Sequence, residues 1–222
     1  MTTPAPALFQ FTGCVELRQA LDHRARDERE LLDRLEDVPA GSVFYHTHGY
    51  FLRHRPITTA YGNDFAAWAA VQVRDQVLAE RLAVINPFEM ATLEDLREEL
   101  MSAVHDHLLR LSTIPRVEFG EAFHFQQSHI VEVPLGPAVT TLTEFRAGLA
   151  EVDASAIYFH MVEARARLGR RSGDFAEWIR TSLQLPDLAE RIERIDAYMT
   201  SLERVRARVL VLVDSALEEA GA

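Results

Sequence analysis

The sequence predicts a mainly α fold: two tandem, pseudo-symmetric helical units packed about a pseudo-twofold axis, with short extended segments pairing as a minor sheet. Three observations lead there. A stretch of roughly one hundred residues occurs twice. Apolar residues recur at helical spacing through most of each copy. Helix-start residues then fall at equivalent places in both copies.

The repeat reads residue by residue. At an offset of 114, Glu30 meets Glu144, Leu35 meets Leu149, Val38 meets Val152, Tyr45 meets Phe159 and His46 meets His160. The same offset pairs Phe9-Gln10-Phe11 with Phe123-His124-Phe125, and Arg53 with Arg167. The second copy is then four residues shorter, and Asp64-Phe65-Ala66-Ala67-Trp68 meets Asp174-Phe175-Ala176-Glu177-Trp178. Between positions 64 and 85, nine of 22 residues are identical, where chance gives about one or two. Residues 1–112 form the first unit, 113–122 a connector around Pro115 and Gly120, and 123–222 the second unit. Two copies are too few for a solenoid, so one merged compact domain is expected.

Each copy opens on an extended Phe-x-Phe piece, and Val131 and Val133 continue the second. Leu17, Leu21, Leu31, Leu32 and Leu35 suit one amphipathic helix ending before Pro39, with a solvated turn from Asp22 to Glu30. A second helix is expected over 43–53 and its equivalent over 157–168. A third starts at Asp64 or Asp174; Asp174 and Glu177 have capping-box spacing. The last helix of each copy opens at Thr92 or Thr200, and Val205 to Leu217 should be buried.

Composition sets limits on function. Apolar residues make up 48%, enough for a core without staples. The net charge is −11 with acid and base interspersed, which argues against nucleic acid or an anionic membrane as partner. No run reaches the ~20 apolar residues of a membrane span, and the N-terminus does not read as a secretory signal. Cys14 is the sole cysteine, so no internal disulfide forms, and a cytoplasmic location is expected. The chain has no lysine, which excludes Schiff-base and P-loop chemistry.

Tyr45-His46-Thr47-His48 is the segment richest in chemical groups. Two histidines one residue apart on a helix point about 200° apart and cannot chelate one ion. The same holds for His105 and His107, expected to face solvent. His46 and its match His160 read as hydrogen-bonded core residues. His48 has no match, since the second copy has Val162. Asp64 and Asp174 read as helix caps that also accept from His46 and His160, fixing the imidazole tautomer. Trp68 and Trp178 read as core anchors, with sugar stacking as the alternative. Glu80-Arg81 and Glu190-Arg191 are either surface ion pairs or a partner surface. Zincin, serine-elbow and glycine-rich phosphate motifs are absent, so no metal and no cofactor is expected.

Four segments carry a resemblance: Phe9 to Phe11, Ser42 to His48, Asn63 to Trp68, and Tyr158 to Leu168. Together they resemble an uncharacterised bacterial family carried as a domain of unknown function, over nearly the whole chain. The resemblance implies length and arrangement rather than an activity. The chain departs from that pattern at Asn86 and Gly173.

Two functions fit. One is a soluble non-catalytic binding or accessory protein holding a small ligand or a protein partner. The other is an enzyme acting on a polar or carbohydrate substrate through the first-copy His/Asp cluster. In either case a single site should lie where the copies differ, and His46, His48, Tyr50, Arg55, Tyr61 and Asp64 are the candidate ligand-binding residues.

Overall fold

The computed structural model describes residues 7–53, 61–118, 120–165, 172–198 and 200–221. The first copy supplies β1 (Thr12–Ala25), α1 (Glu28–Asp37), α2 (Ala40–His46), α3 (Tyr50–Arg53), α4 (Asp64–Trp68), α5 (Gln76–Ala83) and α6 (Leu93–Leu108). The second supplies β2 (Phe123–Pro134), α7 (Leu142–Glu151), α8 (Ala154–Tyr158), α9 (Asp174–Thr181), α10 (Pro186–Glu193) and α11 (Leu202–Gly221). No described helix is long and apolar enough to cross a membrane.

The mainly α reading is corrected. The chain is 56% helical, but β1 and β2 form a two-stranded antiparallel sheet of 14 and 12 residues, which makes the fold mixed α/β. Residues 12–25 therefore belong to a strand, and α1 begins only at Glu28. The physical reason is an ambiguity of spacing. Leu17 and Leu21 are four apart, which puts them on one face of a helix and equally on one face of a strand. Pairing with β2 decides the matter. Val15 and Leu17 stay 52% and 55% exposed on the resulting ribbon.

The compact units do not coincide with the sequence repeats. Residues 16–129 form one unit, and residues 1–15 with 130–222 form the other. Each unit thus takes its opening Phe-x-Phe segment from the opposite copy. In residues 16–129, Phe123 and Phe125 join a core of Leu31, Leu35, Val43, Phe65, Leu82, Leu96 and Leu100. In the other unit, Phe9 and Phe11 pack edge-on or stacked against Phe145 and Phe175. The indole nitrogens confirm the exchange. Trp68 Nε1 donates to the Glu121 carbonyl at 3.0 Å, and Trp178 Nε1 donates to the Ala7 carbonyl at 2.7 Å. Both tryptophans are buried.

Local breaks set the details. The expected single helix over 43–53 stops at His46, and α3 restarts at Tyr50. Gly49 sits in the break, where a Cβ would stand 2.7 Å from the Tyr45 carbonyl oxygen. In the second copy α8 instead runs on through a wider, π-type turn, Phe159–Glu163. The cap of α4 is Asn63, whose side chain accepts from the Ala66 N–H, rather than Asp64. The cap of α9 is Gly173, so no Asp174–Glu177 capping box forms. Its Cβ would come within 2.6 Å of the His160 carbonyl oxygen, which explains the glycine. α6 has a full capping box of Thr92 and Asp95.

Candidate functional site

His46 closes α2 with its ring buried. Its Nε2 accepts from the Gln126 backbone N–H at 3.0 Å, which leaves Nδ1 as the protonated nitrogen. Nδ1–H then donates to Asp64 Oδ2 at 2.8 Å. Burial is the main cause that lowers the imidazole pKa, against the opposing pull of Asp64. The second copy repeats the clamp: His160 Nε2 accepts from the Thr12 N–H at 2.9 Å, and Nδ1 faces Asp174 Oδ2 at 2.9 Å. Each imidazole therefore fastens a strand backbone to a helix start, and both of its nitrogens are committed. A neutral histidine held in this way has no nitrogen left to take a proton from a substrate.

Further groups converge on Asp64. Arg53 Nη2 donates to Asp64 Oδ2 at 2.7 Å and its Nη1 lies 3.4 Å from Glu16 Oε1. The guanidinium lies 3.7 Å from the centre of the Tyr45 ring, a stacked cation–π contact. The Tyr45 hydroxyl donates to Gln126 Oε1 at 2.9 Å. Desolvation holds the Tyr45 phenol above its usual pKa. Tyr45, Arg53, Asp64 and Gln126, with Arg18, Trp68, Gln72, Glu121 and His124, line a cleft of ≈ 760 Å³ lying wholly within residues 16–129. Its size suits a small molecule. Arg18 is exposed, lies against the Tyr45 phenol and makes no ion pair with a described residue. The matched position in the second copy is Glu132, and those of Tyr45 and Gln126 are Phe159 and Thr12.

A second cluster lies in the same unit. Glu28, the first residue of α1, is 0% exposed. Asp75 caps α5 by accepting from the Leu78 N–H at 2.8 Å. His107 lies in the last turn of α6, with Nε2 at 2.9 Å from Asp75 Oδ2 and 3.6 Å from Glu28 Oε2. The expectation that His107 faces solvent is therefore corrected: the ring is 3% exposed. Its neighbour His105 is exposed. Burial, then the Asp75 carboxylate, pushes the Glu28 carboxyl up to about 8.

A family profile fits residues 6–214. The chain belongs to the family of unknown function DUF5752. Among solved structures, OrfY from Thermoproteus tenax is similar, with a TM-score of 0.81 and 27% identity over 96% of this chain and 97% of that one. No curated protein matches. Membership of an uncharacterised family is thus shown, and it carries no reaction with it.

The candidate residues divide. His46 and Asp64 line the cleft. His48 does not: it is buried, stacked on Phe44 at 5.1 Å and set edge-on to Phe88 at 5.3 Å. Burial pushes its pKa down to about 4, with the Pro87 backbone pulling weakly the other way. Tyr50 is also buried, edge-on to Phe51, and it does not line the cleft. Tyr61 donates its hydroxyl to Gln76 Oε1 at 3.0 Å, outside the cleft. Arg55 lies outside the described residues. Sequence reasoning missed Arg18, Gln126 and His124, since the first lay in a presumed helix and the others in the opposite copy. It missed the Glu28–Asp75–His107 cluster as well, because its members come from three distant segments.

Proposed function

We propose that this protein is a non-catalytic binding or accessory protein that holds a small polar molecule bearing an anionic group in the first-copy cleft. The observation that carries this reading is the cleft itself: ≈ 760 Å³, walled by Tyr45, Trp68 and Gln126, with the exposed Arg18 at its side lacking an ion-pair partner among the described residues. An arginine fork suits carboxylate or phosphate. The histidine–aspartate pair at the floor is saturated by Gln126 and Arg53, which favours holding a ligand over transforming it. The acidic balance disfavours nucleic acid as the partner. The lone, buried Cys14 suits a reducing, cytoplasmic setting.

The test is a panel of sugar phosphates, nucleotides and small dicarboxylates, screened by thermal shift and followed by calorimetry. At least one class should bind, and Arg18→Glu should weaken it by about tenfold or more, as loss of a charge-assisted contact does. Affinity unchanged in Arg18→Glu would contradict the cleft as the site.

A further inference from the structure

The cleft leaves unexplained a buried cluster of charge in the same unit. We propose that Glu28, Asp75 and His107 form a site for one divalent transition-metal ion of the zinc class, held by two carboxylate oxygens and the His107 Nε2. The ligand-bearing atoms of the three residues all lie within 4.8 Å of one another. Nε2 already points at both carboxylates, at 2.9 and 3.6 Å. Tetrahedral ligands about 2.0–2.1 Å from zinc stand about 3.3 Å apart, so the two His107 separations need change by only a few tenths of an ångström.

Glu28 is the decisive member. It is fully buried, and no donor reaches either carboxylate oxygen. Buried carboxylates without donors or a counter-charge are strongly disfavoured, and such groups either pair or bind a metal. A divalent cation would cancel the charge of the Asp75 and Glu28 carboxylates once Glu28 gives up its proton on the ion's arrival. The imidazole favours zinc or iron over calcium and magnesium, which prefer all-oxygen shells. Asp75 is the one partly exposed member, so an ion enters from its side. Three protein ligands leave a further position for water.

The second copy supplies the control. Its backbone is the same at each position. Asp27 and Thr141 cap α1 and α7, so Glu28 corresponds to Leu142. Left-handed Arg74 (φ 66°) and Gln184 (φ 57°) turn the chain before Asp75 and Leu185. The Asp75 N–H donates to the Ala69 carbonyl at 3.0 Å, and the Leu185 N–H to the Ile179 carbonyl at 3.2 Å. His107 corresponds to Ala216, each fourteen residues into its helix. All three polar residues are thus apolar in the other copy, as expected of a unit that is useful only when complete. The competing occupant is a proton shared between the carboxyls.

The full chain, made without a polyhistidine tag and stripped with chelator, should be titrated with zinc and with cobalt. The expected result is about one equivalent bound, visible d–d absorption with cobalt, and a Tm rise of about 5–10 °C at a hundredfold excess over Kd. Magnesium and calcium should produce no such shift. Glu28→Gln should abolish the rise. Asp75→Asn, which keeps the cap, should weaken binding by about tenfold or more. The triple variant Glu28→Leu, Asp75→Leu, His107→Ala installs residues that the second copy already accommodates; it should fold and bind no metal. Wild type that takes up no more zinc than the triple variant would overturn the proposal and leave the proton as occupant. An equivalent that persists in Glu28→Gln would overturn it as well.

Discussion

The first copy and the second share a framework and differ in what they hang on it. Both have a buried tryptophan donating to a backbone carbonyl, and both have a histidine that joins a strand N–H to an aspartate. Those groups sit in cores and on backbone, where a lost donor leaves an orphan. The 16–129 unit carries its own polar groups: Arg18, Tyr45 and Gln126 at the cleft, and Glu28, Asp75 and His107 beneath α1, α5 and α6. Their counterparts are Glu132, Phe159, Thr12, Leu142, Leu185 and Ala216. The framework accommodates a different set of side chains at the matched positions, so these groups are candidates for function.

That comparison breaks most readily at the tryptophans. Trp68→Ala and Trp178→Ala should each cost about 3–5 kcal/mol, and by similar amounts. Chemical denaturation of both variants checks this; a loss in one copy only would show that the copies do not share a framework. His46→Ala and His160→Ala come next, at about 3 kcal/mol each, since each orphans a backbone N–H and frees a carboxylate. Unequal losses would mark one histidine as functional rather than structural.

His48 sharpens the difference between copies through pH. Its folded pKa is pushed down to about 4, against about 6.5 in the unfolded chain. Below pH 6.5 the unfolded state therefore binds the proton and the folded state does not, so the His48 contribution to stability falls as pH drops from about 6.5 to about 4, by about 3 kcal/mol. His48→Val, which copies Val162, should flatten that slope while leaving stability near pH 8 within about 1 kcal/mol. An unchanged acid slope would place the titrating group elsewhere. The smallest expected effect is Arg18→Glu, which should shift stability by less than about 0.5 kcal/mol because the residue is exposed. Equilibrium unfolding of that variant beside wild type measures it.

Much of this was legible in the sequence, and the gaps have physical causes. The repeat offset located the matched tryptophans and the histidine–aspartate clamp, because identical side chains in duplicated halves keep identical partners. The strand at 12–25 was hidden because residues four apart suit two periods, and only tertiary pairing with β2 chose between them. The strand exchange was hidden because nothing in a linear repeat says which copy a segment packs with. His48 looked free as an unmatched histidine, yet Phe44 and Phe88 enclose it. His107 was read by its i+2 neighbour His105, when its partners were 79 and 32 positions away in the chain, Glu28 and Asp75.

Ligand binding is proposed to belong to the cleft of the 16–129 unit. The chain has two tryptophans, so its two indole N–H groups give two NMR signals, one from the cleft and one from its counterpart. Titrating the binding member of the anionic panel into 15N-labelled protein should move the Trp68 indole signal and leave that of Trp178 in place. Movement of the Trp178 signal with Trp68 unchanged would contradict the account.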